Sequence, residues 1–102
     1  MEIMSDGPTL VLSGDFDVRS TWEVRNALRE HLEGRAQDVV VDLTDVTALD
    51  LTAARVLAYA SHEAGRSGRP VTLRGCGPAV RRMLHLSHLI RFVDVERVAV
   101  PA

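Results

Sequence analysis

The chain has 102 residues, of which 46% are hydrophobic and only 4% aromatic. This length and composition predict one ordered domain over residues 1–102, with a core of Val, Leu and Ala. The charges nearly cancel, with 12 basic residues (all of them Arg) against 14 acidic ones. Such a balance argues against a nucleic-acid partner, because phosphate binding requires a net basic face. Cys76 is the single cysteine, which excludes an intrachain disulfide and a multi-cysteine metal site.

No apolar run approaches the roughly 20 residues that cross a bilayer. The first residues, Met1 to Asp6, also lack the basic and apolar segments of a secretory signal. We therefore expect a cytoplasmic protein without membrane insertion.

The first third of the chain predicts a strand pair and a helix. Leu10–Leu12 is a short apolar run after the turn residues Asp6-Gly7-Pro8, and Met1–Met4 is expected to add an edge strand. Gly14 is expected to end the strand, which leaves residues 15–17 as a loop. Ser20 or Thr21 then caps a helix that Gly34 closes. The inward face of this helix is predicted to consist of Val24, Ala27, Leu28, His31 and Leu32.

The middle of the chain predicts a buried strand followed by a second helix. Val39–Val41 is β-branched and continuous, which is typical of a strand covered on both faces. Residues 44–49 are expected to form a loop. Asp50 is expected to cap the second helix through the N–H of Thr52 or Ala53. This helix should run to Gly65 with its inward face formed by Val56, Leu57, Ala60 and Ala64.

The last third predicts one more strand–helix unit and a short final strand. Val71–Leu73 is the strand, and Pro78 opens a third helix with Val80, Met83 and Leu84 on one side. Phe92–Val93 is the expected last strand. Alternation of this kind predicts an α/β fold with a mixed, mostly parallel sheet of four to five strands and three to four helices packed on it.

No constellation of catalytic residues is found, so we expect neither an enzyme nor a cofactor. The chain has no phosphate-binding loop and no nucleophile elbow. Gly75-Cys76-Gly77 before a helix, the His85/His88 pair and the Asp42/Asp45/Asp50 group are weak candidates for anion or metal binding. A turn, solvated histidines and helix capping explain them better.

The segment from Val39 to Leu57, VVVDLTDVTALDLTAARVL, resembles the most recognisable part of STAS domains (sulphate transporter and anti-sigma factor antagonist). In that family a buried strand and a short loop precede Asp-[Ser/Thr]-[Ser/Thr]-Gly at the start of a helix. The residues 14–17, Gly-Asp-Phe-Asp, are similar to the family's Gly-Glu-Leu-Asp. The stretch from Gly77 to Leu89 is similar to its late helix, so the resemblance covers nearly the whole chain.

The resemblance implies an anti-sigma factor antagonist. Such proteins bind an anti-sigma factor that is also a Ser/Thr kinase, and this binding frees the sigma factor. Phosphorylation at the start of the second helix ends the binding. The partner-binding residues that the resemblance implies here lie in two loops and on the exposed face of the second helix: Asp15, Asp17, Asp50, Leu51, Thr52, Arg55 and Tyr59.

The sequence departs from the family pattern where the phosphate is normally added. Aligning Asp50 with the family Asp places Leu51, which cannot be phosphorylated, in the phosphorylated position. The switch has either moved to Thr52, the phosphorylation candidate, or been lost, or never belonged to this protein. Leu51 is either a partner-binding anchor or a residue packed against Val46 or Leu49. The alternative function, which needs no phosphorylation, is a STAS subunit or scaffold of a membrane transport ATPase or a multi-protein stress complex. A weak homodimer is a further expectation.

Overall fold

A computed structural model describes residues 1–34 and 38–96 of the chain. The five strands are β1 (Glu2–Asp6), β2 (Thr9–Phe16), β3 (Val39–Leu49), β4 (Val71–Arg74) and β5 (Asp94–Val95). The three α-helices are α1 (Thr21–Glu33), α2 (Leu51–Arg66) and α3 (Pro78–Leu86). Two short 3-10 turns, Val18–Ser20 and Leu89–Phe92, precede α1 and follow α3.

The strands form one sheet in the order β1-β2-β3-β4-β5, in which β1 is antiparallel to β2 and the other neighbours are parallel. Each helix connects two parallel neighbours and the chain always advances in the same direction across the sheet. Right-handed crossovers therefore place all three helices on one face. The predicted fold class, a mixed and mostly parallel α/β sheet with helices packed on it, is confirmed.

Within residues 1–34 and 38–96 the helices cover only one face of the sheet, which corrects the expectation for residues 39–41. Val39 and Val41 are fully buried against the helices, whereas Val40 between them is half-buried. The same alternation holds in β2, where Leu10 and Leu12 are buried and Val11 is half-buried. A continuous apolar run therefore signals a central strand here, but not a sheet covered on both sides.

Strands β2 and β3 are both longer than the sequence predicted. Gly14 does not end β2, because it takes a positive φ of 95° inside the strand and the chain continues to Phe16. The predicted loop over residues 44–49 is strand as well, since these residues pair with the second half of β2 and end with Leu49 opposite Phe16. Register shifts in this pairing explain why these strand residues show no regular alternation of apolar and polar side chains in the sequence.

The helices start and stop near their predicted bounds, but α2 presents a different inward face. Leu57 and Ala64 are buried as predicted, whereas Val56 and Ala60 are only half-buried. The additional residues buried on α2 are Ala53, Ala54, Ala58 and Ser61. The stripe is therefore rotated away from α1, which leaves Val56 and Ala60 facing a groove. The last strand lies two residues later than Phe92–Val93, because Phe92 belongs to the second 3-10 turn.

Candidate functional site

The carboxyl ends of β2 and β3 bring together two segments that lie far apart in the sequence. Phe16 and Leu49 are register partners at the ends of these parallel strands, and the N–H of Asp50 donates to the carbonyl oxygen of Phe16 at 3.3 Å. The 3-10 turn after β2 and the start of α2 after β3 consequently meet at one edge of the sheet. Ligands of open α/β sheets commonly bind outside the carboxyl ends of the strands.

Asp50 joins the two segments at this edge, because each of its carboxylate oxygens accepts a backbone hydrogen bond. Its Oδ1 accepts a hydrogen bond from the N–H of Ala53 at 2.8 Å, so the predicted N-cap of α2 is confirmed. Its Oδ2 accepts from the N–H of Val18 at 3.0 Å, a contact across 32 residues that the sequence does not reveal. One carboxylate therefore fixes the start of α2 and the position of the 3-10 turn Val18–Ser20.

Asp17 organises the 3-10 turn in a similar way. Its Oδ1 accepts from the backbone N–H of Arg19 at 3.0 Å, and the Arg19 guanidinium donates to both oxygens at 3.2 and 2.7 Å. The Arg19 hydrogen bonds hold the pKa of the Asp17 carboxyl below its usual value. Ser20 occupies the N-cap position of α1 without a capping hydrogen bond from its side chain, and the Thr21 hydroxyl donates back to the carbonyl of Val18 at 3.0 Å. Ser20 therefore lies at the predicted N-cap position, but the predicted capping hydrogen bond to a Ser or Thr hydroxyl oxygen is wrong.

Asp15 lies on β2 and not in a loop. Its Oδ1 accepts a hydrogen bond from the Thr47 hydroxyl on the neighbouring strand at 2.7 Å, and both side chains are exposed. This cross-strand pair sits beside the edge where α2 begins. The structure thus brings Asp15, Asp17 and Asp50 to one end of the molecule.

The exposed face of α2 carries the remaining predicted residues. Leu51 keeps 41% of its surface exposed at the first position of the helix, and Tyr59 keeps 64%. Thr52 and Arg55 are also exposed, and neither forms a side-chain hydrogen bond or ion pair within residues 1–34 and 38–96. Leu51 therefore remains accessible, whereas Val46 and Leu49 are buried in the core.

Two further exposed apolar residues escaped the prediction. Val18 in the 3-10 turn is 61% exposed, and Trp22 in the first turn of α1 is 69% exposed. The sequence does carry a signal for Trp22, because its position lies outside the predicted inward face of α1, so the indole must face solvent. We define the helix-entry surface as Val18, Trp22, Leu51, Thr52, Arg55 and Tyr59.

The helix-entry surface has the composition of a protein-binding site. Trp, Tyr and Arg are the residues that most often dominate the binding energy of protein interfaces. Large apolar side chains that are exposed close together commonly mark such interfaces. Asp17 and Asp50 contribute differently, since their oxygens accept hydrogen bonds from the protein's own backbone and, for Asp17, also from the Arg19 side chain.

Two cavities flank the exposed face of α2. A groove of about 850 Å³ runs between α1 and α2 and includes Thr52, Arg55 and Tyr59 in its wall. A smaller pocket of about 310 Å³ lies between α2 and the second 3-10 turn. Arg55 and Tyr59 line both cavities, so the two residues form the ridge between them. In the smaller pocket the His62 and Phe92 rings meet edge to face with centroids 5.6 Å apart.

In the described part of the chain, no cluster of three or more His, Cys, Asp or Glu side chains could hold a metal ion. Among the helices of residues 1–34 and 38–96, none is both long and apolar enough to span a bilayer.

A one-sided α/β sheet with an exposed helix-entry surface defines the class of fold, and comparisons with known proteins identify the family. The family model described as "Mlab, STAS domain" matches residues 2–94. A STAS-domain containing protein of Pseudomonas aeruginosa is 31% identical over 88 residues, covering 86% of each chain. The chain therefore belongs to the STAS domain family.

Solved structures share the fold at lower sequence identity. The crystal structure of a putative anti-sigma factor antagonist from Thermotoga maritima superposes with a TM-score of 0.76 at 17% identity, covering 95% of this chain and 86% of that chain. The Bacillus cell fate determinant SpoIIAA in its phosphorylated form gives a TM-score of 0.66 at 15% identity, covering 94% of this chain and 90% of that chain.

Proposed function

We propose that this chain is an anti-sigma factor antagonist, a non-catalytic cytoplasmic domain that binds a kinase-type anti-sigma factor and so promotes release of a sigma factor. The observation that carries the proposal is the exposure of Val18, Trp22 and Leu51, which lie in the 3-10 turn and in the first turns of α1 and α2, after the carboxyl ends of β2 and β3. Solvent exposure of three large apolar side chains at one edge is unfavourable in an isolated domain, and a partner protein that covers them would gain binding energy.

The residues of the site have two distinct roles in this proposal. Leu51, Arg55 and Tyr59 contact the partner directly, because their side chains are exposed and form no hydrogen bond or ion pair in the part of the chain that the structure describes. Asp50 and Asp17 position the contact residues, because their carboxylates bond the backbone of residues 18, 19 and 53. Asp15, bonded to Thr47, lies at the margin of the surface.

Thr52 is the proposed phosphorylation site. It is exposed at the second position of α2, within reach of a kinase. A phosphate there adds a charge of about −1.5 to −2, and the partial positive charge of the helix N-terminus would stabilise it within the folded domain. A partner surface fitted to the neutral hydroxyl would instead meet uncompensated negative charge, which can cost several kcal/mol. Phosphorylation would therefore end binding without unfolding the domain.

Binding is tested with a matched pair of leucine variants against the anti-sigma kinase from the same organism. Leu51→Asp should weaken binding at least about tenfold, because it places a charge in the apolar centre of the interface. Leu86→Asp is the control, since Leu86 on α3 is 68% exposed and lies outside the helix-entry surface. Equal affinities for the two variants in calorimetry would exclude the helix-entry surface as the contact.

Phosphorylation is tested separately by mass spectrometry after incubation with the kinase and ATP. One phosphate should be added to the wild type and none to Thr52→Ala. Thr47→Ala is the control, because Thr47 is also exposed but lies on β3. Modification of Thr52→Ala, or no modification of the wild type, would contradict the proposed switch.

The exposed Leu51 supports a second candidate function, a STAS subunit of a membrane transport ATPase or a scaffold in a multi-protein stress complex. A leucine in the usual phosphorylated position suits a permanent interface that is not regulated by phosphate. An unmodified wild-type mass, together with binding to a transport ATPase that Leu51→Asp abolishes, would favour this function over the antagonist.

A further inference from the structure

The groove between α1 and α2 has an apolar floor and a basic rim. Its floor is formed by Leu28 and Leu32 of α1 and by Val56, Ala60 and Ala64 of α2. Leu28 and Ala64 are buried, and the other three are half-buried, so apolar surface at the bottom of the groove stays open to solvent. Ala60 and Ala64, one helical turn apart, contribute only small side chains to the floor of this groove of about 850 Å³.

The rim carries more positive than negative charge, although the whole chain has a net charge of −2. Four arginines and two glutamates line the groove: Arg25, Arg29, Arg55, Arg69, Glu33 and Glu63. Glu63 is already 3.6 Å from Arg66, and Arg69 donates to the carbonyl of Leu32 at 2.8 Å. Arg25 and Arg55 form no ion pair or side-chain hydrogen bond among residues 1–34 and 38–96. Their charges are therefore available to a partner. Arg29 donates to the side-chain oxygen of Asn26 at 3.2 Å, a neutral acceptor that leaves its charge uncompensated.

The groove follows the axes of the two helices. Helices α1 and α2 each return from the end of one parallel strand to the start of the next, so they run in the same direction. The groove is lined from Arg25 to Glu33 on α1 and from Thr52 to Ser67 on the α2 side. At a rise of about 1.5 Å per residue, the α1 wall is about 12 Å long and the α2 wall about 22 Å.

We propose that this groove binds an amphipathic α-helix of a partner protein, with apolar residues on one face and carboxylates beside them. The walls are helices whose backbone groups are bonded internally, so an extended peptide would find no backbone partners there. A helix satisfies its own backbone hydrogen bonds and needs only a side-chain surface. Carboxylates one turn apart on the bound helix would face Arg25 and Arg29, which are themselves one turn apart on α1.

This inference goes beyond the proposed function, because the floor and the α1 wall lie outside the helix-entry surface. Thr52, Arg55 and Tyr59 belong to both, so a helix in the groove would continue the contact made at the start of α2. A helix docked there need not come from a kinase, and the test below uses no kinase.

The test uses two synthetic helical peptides of 16 residues, the length of α2. Both carry leucines at i, i+3, i+4 and i+7, flanked by glutamates in one and by lysines in the other. In fluorescence anisotropy with the full chain, the acidic peptide should bind about tenfold or more tightly than the basic one, and less tightly as salt is raised. Equal binding of the two peptides, or no binding of the acidic one at about 1 mM, would overturn the proposal.

Groove variants locate the binding. The double variant Arg25→Glu with Arg29→Glu should weaken the acidic peptide about tenfold and strengthen the basic one. Arg82→Glu, an exposed arginine on α3, should change neither affinity by more than about twofold. Ala60→Phe fills the floor and should abolish binding of the acidic peptide. Circular dichroism confirms that each variant is folded, and unchanged binding in the double variant would place the peptide elsewhere.

A lipid is the competing occupant. Vesicles of equal parts phosphatidylglycerol and phosphatidylcholine should neither bind the chain nor displace the acidic peptide. If they displace it, and the double variant loses this effect, the groove recognises an anionic lipid surface and the helix proposal is wrong. If Leu51→Asp leaves peptide binding intact while kinase binding is absent in the wild type, the proposed function fails and the groove proposal stands.

Discussion

Replacing Asp50 by alanine tests whether one carboxylate assembles the helix-entry surface. The substitution removes the acceptor for the N–H of Ala53 at the start of α2 and the acceptor for the N–H of Val18 in the 3-10 turn. Loss of an N-cap costs about 1 kcal/mol of unfolding free energy. The second bond lies at the surface, where water can replace it, and contributes about 0.5 to 1 kcal/mol. The expected total is about 1.5 to 2 kcal/mol.

For a domain of this size, 1 kcal/mol corresponds to about 4 to 8 °C in melting temperature, so Asp50→Ala should lower the Tm by about 10 °C. Urea unfolding followed by circular dichroism measures the free energy directly. Asp50→Asn should lose about half as much, because one side-chain oxygen still accepts from Ala53 while the amide group cannot accept from Val18.

Asp45→Ala is the matched control, since Asp45 is an exposed aspartate of β3 whose carboxylate accepts no hydrogen bond within residues 1–34 and 38–96. Its effect should stay within about 0.5 kcal/mol of the wild type. Equal stability of Asp50→Ala and Asp45→Ala would show that the Asp50 carboxylate does not hold the two segments together. Equal losses of unfolding free energy in Asp50→Asn and Asp50→Ala would contradict separate contributions from the helix cap and the Val18 bond.

The remaining predictions concern a turn, a titration and the proposed switch. Gly75→Ala should destabilise the fold by about 2 to 4 kcal/mol, because Gly75 has a φ of 70° and an added Cβ would lie 3.0 Å from the Cα of Thr44. Gly65→Ala, with open space around it in α2, should instead stabilise by about 0.5 to 1 kcal/mol in the same urea assay. In a carbon-13 NMR titration the pKa of Asp17 should lie below 3.8, and Arg19→Gln should raise it towards that value. Because the pKa of Asp17 is lower in the folded than in the unfolded chain, the stability that its carboxylate contributes is present above pH 3.8 and is lost as the pH falls through the folded pKa. An Asp17 pKa that does not change in Arg19→Gln would contradict Arg19 as the cause. Thr52→Glu should leave the unfolding free energy unchanged or raise it by up to about 1 kcal/mol, because the first turn of α2 holds no acidic residue that already interacts with the helix dipole. The same variant should weaken kinase binding. A clear loss of stability would show that Thr52 has a structural role.

The sequence predicts the framework of the fold because local signals mark most of its elements. The β-branched run at Val39–Val41, the Asp50 cap and Pro78 at the start of α3 each depend on residues close together in the chain. The second halves of β2 and β3 carry no such signal. They are strands only because each supplies the other's hydrogen-bonding partners, with shifts in register that erase the alternating pattern.

The candidate site shows the same division between local and long-range information. Leu51, Thr52, Arg55 and Tyr59 lie at one end or on one face of a helix that the sequence predicts, and the structure finds them exposed. Val18 joins them only through its bond to Asp50, which spans 32 residues and depends on the parallel pairing of β2 with β3. No pattern in the sequence around residue 18 could indicate that contact.

The sequence does not predict the groove between α1 and α2, because the groove depends on the distance between the two helices. Helical periodicity assigns Val56 and Ala60 to the inward face of α2, since they are spaced like Leu57 and Ala64. Whether an inward residue is covered depends on how closely α1 approaches α2, and this distance is set by the spacing of the strands beneath them. The two residues are half-buried because they face the gap between the helices.

Two properties of the proposed binding site lie on neighbouring residues: Leu51 supplies apolar contact with the partner, and Thr52 supplies the hydroxyl that can be phosphorylated. The start of α2 is held in place by Asp50 whatever residue follows it, so the surface can be presented with or without a phosphorylatable residue. Leu51 at the first position adds apolar contact area, and Thr52 at the second keeps an exposed hydroxyl beside it. A phosphate on Thr52 would thus lie against the apolar residue on which binding depends. Under the proposed function, the leucine strengthens the unphosphorylated complex and increases the penalty that a neighbouring phosphate imposes on it.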